Sequence, residues 1–319
     1  MGILRVKIMG SYVSTSKFIQ LPFRAKKPKW SFQELEFNEK NTDQEIIDTI
    51  VSSNLSRIQT ETVPSDEDIV ILNEILKKNP NIAFRHYGGR GDSIIDISYL
   101  TKLSHMKNLW LDIYSKISNI EILQELQLES LGINCFNVKN YSFLRNLSPS
   151  ISDLTLLFED KSYKVDINDI VHLKDLKKLG IRNVKKGLDK LVEFKNLKEL
   201  SLRSISINDY SFLREMNVNK IYLGFQKPEY FNTFGLNEKI EEVSLWRNSN
   251  LTDLSFLLQF PNLKKIIISS QSKVENIPDL TSLNKLEEFY FLDRNIEEVK
   301  KHCNTSVKIY SQYNPIDIS

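Results

Sequence analysis

The feature that most limits what this chain can fold into is a repeat. The string Asp253-Leu254-Ser255-Phe256-Leu257 has relatives at Asp209-Tyr210-Ser211-Phe212-Leu213, Asn140-Tyr141-Ser142-Phe143-Leu144 and Asp96-Ile97-Ser98-Tyr99-Leu100. Their second residues lie 44, 69 and 44 positions apart, or two, three and two periods of 22 or 23. Ile120, Ile167, Leu188, Phe231, Ile277 and Ile296 take the equivalent place in the units between and beyond. Within a unit the apolar residues advance by three and finish on a step of two, as in Leu251, Leu254, Leu257, Phe260, Leu263, Ile266, Ile268. A step of three suits a tight 3₁₀-like turn with one buried edge, and a step of two is a strand. One such unit cannot bury its apolar edge alone, so the units must stack and their strands pair in parallel.

These strings resemble the internalin and SDS22-like class of leucine-rich repeats over about residues 81–310. The resemblance implies an α/β fold: a right-handed solenoid with a curved parallel sheet on the concave face and short helical or 3₁₀ segments on the convex face. It also implies a buried Asn three residues after the last strand leucine. Asn248 after Leu245 fits, whereas Tyr114, Glu159, Val184, Ile205, Gln226 and Gln271 depart from it. Internalins carry export and wall-anchoring signals. None is recognisable here, so their cell-surface role is not carried over.

Strand alternation then selects an open face. One column reads Ala83, Trp110, Gln127, Thr155, Gly180, Ser201, Tyr222, Ser244, Ile267, Tyr290, and the next runs through Arg85, Asp112, Glu129, Arg182, Arg203 and Trp246. Aromatics and arginines are the residue types enriched at protein–protein hot spots. Ten residues are therefore the candidate partner-binding set: Arg85, Trp110, Asp112, Gln127, Glu129, Arg182, Arg203, Tyr222, Trp246 and Tyr290.

Residues 1–80 lack the repeat and are read as an N-terminal cap, with the solenoid occupying 81–319. The first 33 residues hold seven Lys or Arg and no acid, a pattern shared with transit peptides. Alternation at Leu4, Val6 and Ile8, with a second apolar stretch from Phe18 to Phe23, predicts a short hairpin. Helices are expected over 42–54 and 65–79, and a closing strand over Val307–Tyr310.

The remaining sequence is sparse in chemistry. The four histidines have no metal-ligand spacing, and the two cysteines, Cys135 and Cys303, lie far apart. Gly88-Gly89-Arg90-Gly91-Asp92 has no Lys-Ser or Lys-Thr after it and reads as a turn, while Lys26-Lys27-Pro28-Lys29 reads as a solvated basic turn. Residues 174–198 carry nine Lys or Arg against three acids, yet the net charge of the whole chain is only +2. The expectation is a cytoplasmic, monomeric, non-enzymatic protein without a cofactor, whose partner is a protein and neither nucleic acid nor membrane. Only two alanines occur, which suggests an AT-rich genome. In that setting a solenoid of this kind resembles an immunity protein that occludes a toxin; an SDS22-like regulatory scaffold is the alternative.

Overall fold

The computed structural model describes residues 18–21, 40–89, 93–136, 138, 140–158, 164–205, 207, 209–228, 231 and 233–311. The backbone divides into two compact units, Met1–Ile151 and Ser152–Ser319.

The first unit is built on parallel strands β1 (Phe18–Gln20), β2 (Arg57–Thr60), β3 (Ala83–Gly88), β5 (Asn108–Ile113) and β7 (Ser130–Ile133), paired in that order, while β4 (Ile94–Asp96) and β6 (Lys116–Ser118) pair with each other. Helix α1 (Asp43–Ser52) lies between β1 and β2, and α2 (Asp66–Lys78) between β2 and β3. Both start on a side-chain cap: Thr42 and Glu45 form a reciprocal capping box, and Ser65 accepts the Asp68 N–H. Sheet pairing thus reaches back into residues 1–80, with full α-helices where later coils use a tight turn. Phe18–Gln20 joins this parallel sheet, and the first arm of the expected hairpin lies outside the described residues.

In the second unit the strands are β8 (Asp153–Leu156), β10 (Lys178–Arg182), β12 (Glu199–Arg203), β13 (Lys220–Gly224), β14 (Glu242–Trp246), β15 (Lys265–Ser269), β16 (Glu288–Phe291) and β17 (Lys308–Tyr310), again all parallel, with β9 (Val165–Asp166) and β11 (Val184–Lys186) as a separate pair. The five-residue helix α3 (Ile296–Lys300) precedes the closing strand. The 3₁₀ segments, Ser98–Lys102, Ser142–Asn146, Ser211–Glu215 and Ser255–Gln259 among them, take the side away from the sheet. Strand on one side and tight turn on the other make this an α/β leucine-rich-repeat solenoid, as the periodicity predicts.

Register explains the core. Leu154, Leu179, Leu200, Ile221, Val243, Ile266, Phe289 and Ile309 stand in one row across successive strands, and each is less than a tenth exposed. Behind them, on the turn side, Tyr210, Phe231, Phe234, Phe256 and Phe260 form a chain of rings with neighbouring centroids 5.1–5.6 Å apart.

The repeated pentapeptides also have a local physical cause. Each opens with Asp or Asn, whose side-chain oxygen accepts the N–H of the serine two residues on: Asp96 from Ser98 (2.8 Å), Asn140 from Ser142 (2.9 Å), Asp209 from Ser211 (2.8 Å) and Asp253 from Ser255 (2.8 Å). That bond satisfies a donor which the tight turn leaves orphaned. It also holds the carboxyls of Asp96 and Asp209 below the usual carboxylate range. Their stabilising contribution is present above the unfolded value of about 3.9 and is lost as pH falls below it.

Two outcomes are expected. Asp253→Ala removes the cap and lowers unfolding free energy by about 1 kcal/mol in urea titrations, whereas Asp253→Asn keeps the acceptor and loses less; equal losses from both would contradict the capping role. The second concerns His86, which fills an inward position of β3 in the row continued by Leu111 and Ile133 and whose Nδ1 lies 2.7 Å from the Tyr99 hydroxyl. Burial pushes its imidazole down to about 4. An unfolded histidine protonates near 6.5, so the stability tied to neutral His86 is complete above that pH. It falls by up to about 3 kcal/mol as pH drops from 6.5 to 4. The urea midpoint of His86→Leu should therefore depend less steeply on pH in this window than that of the wild type.

Candidate functional site

The outward-facing side chains of each unit form its candidate site. In the first unit the rows differ from the sequence expectation. Arg85 pairs with Trp110 across β3 and β5, and Tyr87, two residues on, is the partner of Asp112. The inward pair on β3 is Phe84 and His86, and a histidine in a leucine position conceals that register. Gln127 and Glu129 are not on the sheet at all: both are exposed in the segment before β7, and the Glu129 carboxylate lies 3.8 Å from the Lys107 amine. With Gln127 and Glu129 on the open face, alternation would make Leu126 and Leu128 the inward residues, but those are Leu131 and Ile133, opposite Leu109 and Leu111. Leu131 lies one 22-residue period after Leu109, so the period contained the signal that the step of two obscured. The residue beside Trp110 is consequently Gly132, and the indole ring lies where a side chain at Gly132 would stand.

Asp112 also departs from its expected exposure, being only 4% exposed. Arg85 covers it, donating from Nε to Oδ2 at 2.6 Å, and Asn134 donates to Oδ1 at 2.9 Å. The Arg85 guanidinium also lies 4.5 Å from the Tyr87 ring centroid. This pair closes its charges on each other, and Asp112 presents no open carboxylate.

In the second unit the face follows the expectation. Arg182, Arg203 and Trp246 stand in one row with Gly224 and Ser269, while Tyr222 and Tyr290 stand in the neighbouring row with Gly180, Ser201, Ser244 and Ile267. Arg182, Arg203, Tyr222, Trp246 and Tyr290 are all half-buried. Tyr290 stacks on Tyr310 with centroids 4.3 Å apart. Burial raises its phenol to about 12, as it does that of Tyr222, whose ring lies over Gly224.

Around Trp246 the structure gathers residues that strand alternation does not find. The Phe225 ring meets the indole edge-on at 4.6 Å, and the guanidinium groups of Arg203 and Arg247 lie 5.5 and 5.1 Å from its centroid. Phe225 and Arg247 come just after their strands, at the position also held by Asn183, Ser204 and Ser270. All five have positive φ, between 49° and 57°. Asn suits that conformation; a bulky side chain costs about 1–2 kcal/mol there. The two ill-suited residues are those that touch Trp246. A spacing of 21–23 residues among these positions marks the row in the sequence, but nothing local marks its backbone conformation.

Charge divides this face by edge. The residues that start the strands, Asp153, Lys178, Glu199, Lys220, Glu242, Lys265, Glu288 and Lys308, alternate in sign from strand to strand. Lys178–Glu199, Lys220–Glu242 and Lys265–Glu288 approach to 3.4, 3.4 and 2.9 Å. The two face positions that follow on each of β10 and β12–β15, together with the positive-φ residue after each strand, contain Arg182, Arg203 and Arg247 and no carboxylate.

Groups suited to covalent or acid–base work lie elsewhere. Cys135 and Cys303 are buried, and burial raises their thiols to about 12 and about 11, far from the reactive thiolate. Among the described residues no three His, Cys, Asp or Glu gather as a metal site, and no described helix is long and apolar enough to cross a membrane. At the strand ends, Asn248 is buried and accepts the Gln226 N–H at 2.8 Å while donating to the Leu223 carbonyl at 3.1 Å. It thus has the loop-bonding role that the family resemblance implies. Gln226 and Gln271 are equally buried at the corresponding positions, and Gln226 donates to the carbonyls of Leu202 and Gly224.

Packing of Trp110 on Gly132 generates a further expectation. Gly132→Val places a branched side chain in the ring's volume, so it should destabilise the protein by about 1–3 kcal/mol and change the near-UV circular dichroism of tryptophan. Unchanged stability and spectrum would show that the ring does not rest on Gly132.

No protein-family model matches the chain, and no curated protein matches it significantly. Among solved structures it is similar to internalins of Listeria monocytogenes. InlF matches with a TM-score of 0.49 at 19% identity, covering 85% of this chain and 83% of that one. Internalin C2 matches with a TM-score of 0.40 at 17% identity over 75% of this chain and 88% of that one. The functional domain of InlJ matches with a TM-score of 0.33 at 10% identity over 78% of this chain and 64% of its own.

Proposed function

We propose that the chain is a non-catalytic, protein-binding leucine-rich-repeat protein that takes its partner on the outward face of the sheet. The observation that carries this reading is the cluster around Trp246. An indole, the Phe225 ring and two guanidinium groups stand together, all at least partly exposed, on and just after strands whose other side is sealed in the core. Large, conformationally restricted aromatics and arginines contribute most of the energy at protein interfaces, because they exclude much water for little lost freedom. Trp110 above Gly132 is a second anchor on the first unit. Buried thiols, the enclosed His86 and the self-paired Asp112 support recognition rather than turnover.

The finer reading is a cytoplasmic, monomeric immunity protein that neutralises a toxin by occlusion. A broad face with no chemistry of its own acts on an enzyme by covering its active site.

Capture with wild type, Trp110→Ala and Trp246→Ala as parallel baits tests the binding reading. Trp246→Ala is expected to lose the wild-type partner through a drop in affinity of about thirtyfold or more; an unchanged partner set from both variants places binding elsewhere. Co-expression with any toxin found encoded beside its gene tests the finer reading, since failure to restore growth removes the immunity role and leaves protein binding standing.

A further inference from the structure

We infer that Tyr290 and Tyr310 form an oxidative cross-linking site. A high-potential one-electron oxidant, of the ferryl-haem or photo-oxidised metal-complex kind, joins the two rings there by a carbon–carbon bond and ties β17 to β16. Such a modification site is independent of the protein-binding reading.

Three observations converge. First, Tyr290 and Tyr310 are register partners on adjacent parallel strands, so their side chains leave the sheet side by side and in the same direction. Like atoms therefore meet like atoms. The rings lie 9° from parallel, with centroids 4.3 Å apart. Phenoxyl radicals combine through overlapping π faces, and stacking holds this pair at that approach before any electron is lost. Tyr87 and Tyr114, by contrast, meet edge to face, 88° apart at 6.0 Å, and share no face.

Second, the proton of Tyr290 has a place to go. Its hydroxyl donates to the Glu288 carboxylate at 3.3 Å, and Lys265, 2.9 Å from that carboxylate, holds it below the usual carboxylate range and so ionised. Burial pushes the Tyr290 phenol up to about 12, so at ordinary pH it is neutral and gives up an electron and a proton together. A phenol that loses an electron becomes a strong acid, and the carboxylate is within reach to take its proton.

Third, β17 pairs with β16 alone among the described residues, and a strand held on one side opens more readily than one held on both. A covalent tie has most to stabilise there. Both rings are half-buried, open enough to lose an electron to an oxidant at the surface and shielded enough to favour each other over a second molecule.

The reaction balances without further reagents. Each tyrosine loses one electron to one equivalent of oxidant and its hydroxyl proton to Glu288 or water. A bond then forms between one Cε of each ring. The hydrogens on those two carbons leave as protons while a proton returns to each oxygen, which restores both phenols. The net loss is two electrons and two protons.

The test illuminates the full chain, at low concentration, with tris(bipyridyl)ruthenium(II) and persulfate. The expected product is a monomer lighter by two hydrogens, with dityrosine fluorescence and one linked peptide pair that contains Tyr290 and Tyr310. Tyr310→Phe keeps the stack without the oxidisable hydroxyl and should lose the intramolecular fluorescence, whereas Tyr114→Phe should retain it. In the linked protein, hydrogen exchange at the Ile309 and Tyr310 amides should slow about tenfold.

Absence of intramolecular dityrosine, an undiminished yield from Tyr310→Phe, or a main linkage at another tyrosine pair would each overturn the site. Linked protein whose β17 amides exchange as fast as before would overturn the tie between the strands.

Discussion

The structure depends on burying one edge of every coil against the next. A unit of about 22 residues has an apolar side and nothing of its own to cover it, so its free energy of folding is supplied by its neighbours. In-register parallel pairing makes this possible: Leu200, Ile221 and Val243 meet across β12, β13 and β14, each almost wholly buried. A slip of one residue in any strand would turn that row outward and its face row inward. Leucine and isoleucine positions are consequently fixed, and the residues between them are left open to variation.

That freedom is used differently at the two ends of the strands. At their starts, charges alternate from Asp153 to Lys308, and each strand between these two meets unlike charge on both sides, which favours the observed register and opposes its neighbours. At their ends, the chain turns through positive φ at Asn183, Ser204, Phe225, Arg247 and Ser270, and then buries Gln226, Asn248 and Gln271 against loop backbone. A turn that must reverse direction within one residue thereby becomes a means of aiming side chains back over the sheet. Phe225 and Arg247 reach Trp246 in this way.

Much of the second unit was legible in the sequence because its leucines are regular. Arg182, Arg203, Tyr222, Trp246 and Tyr290 all stand on the face, in the rows that period and alternation assign. Where a polar residue takes an inward position, as His86 does, or where two steps of two lie close together, as at Leu126–Leu128 and Leu131–Ile133, local pattern offers two registers. Arg85 was then placed one row away, and Gln127 and Glu129 on a strand they precede. Period breaks the tie, because pairing links residues one coil apart, whatever the spacing inside a coil.

The sequence by itself determined the architecture: a step of three, a step of two and a 22-residue return admit stacked coils with parallel strands, because no other arrangement buries every repeated leucine. It also determined where the tight turns begin, since the Asp or Asn that opens each pentapeptide caps its own backbone two residues on. Tertiary structure alone decided which face residues remain available. Asp112 lies on the face yet is closed off by Arg85 and Asn134, 27 and 22 residues away, whereas Trp246 gains Phe225 and Arg203 as neighbours from other coils. Side-chain contacts between coils depend on turn geometry and on the space left by Gly132 and Gly224, neither of which is written in the spacing of leucines.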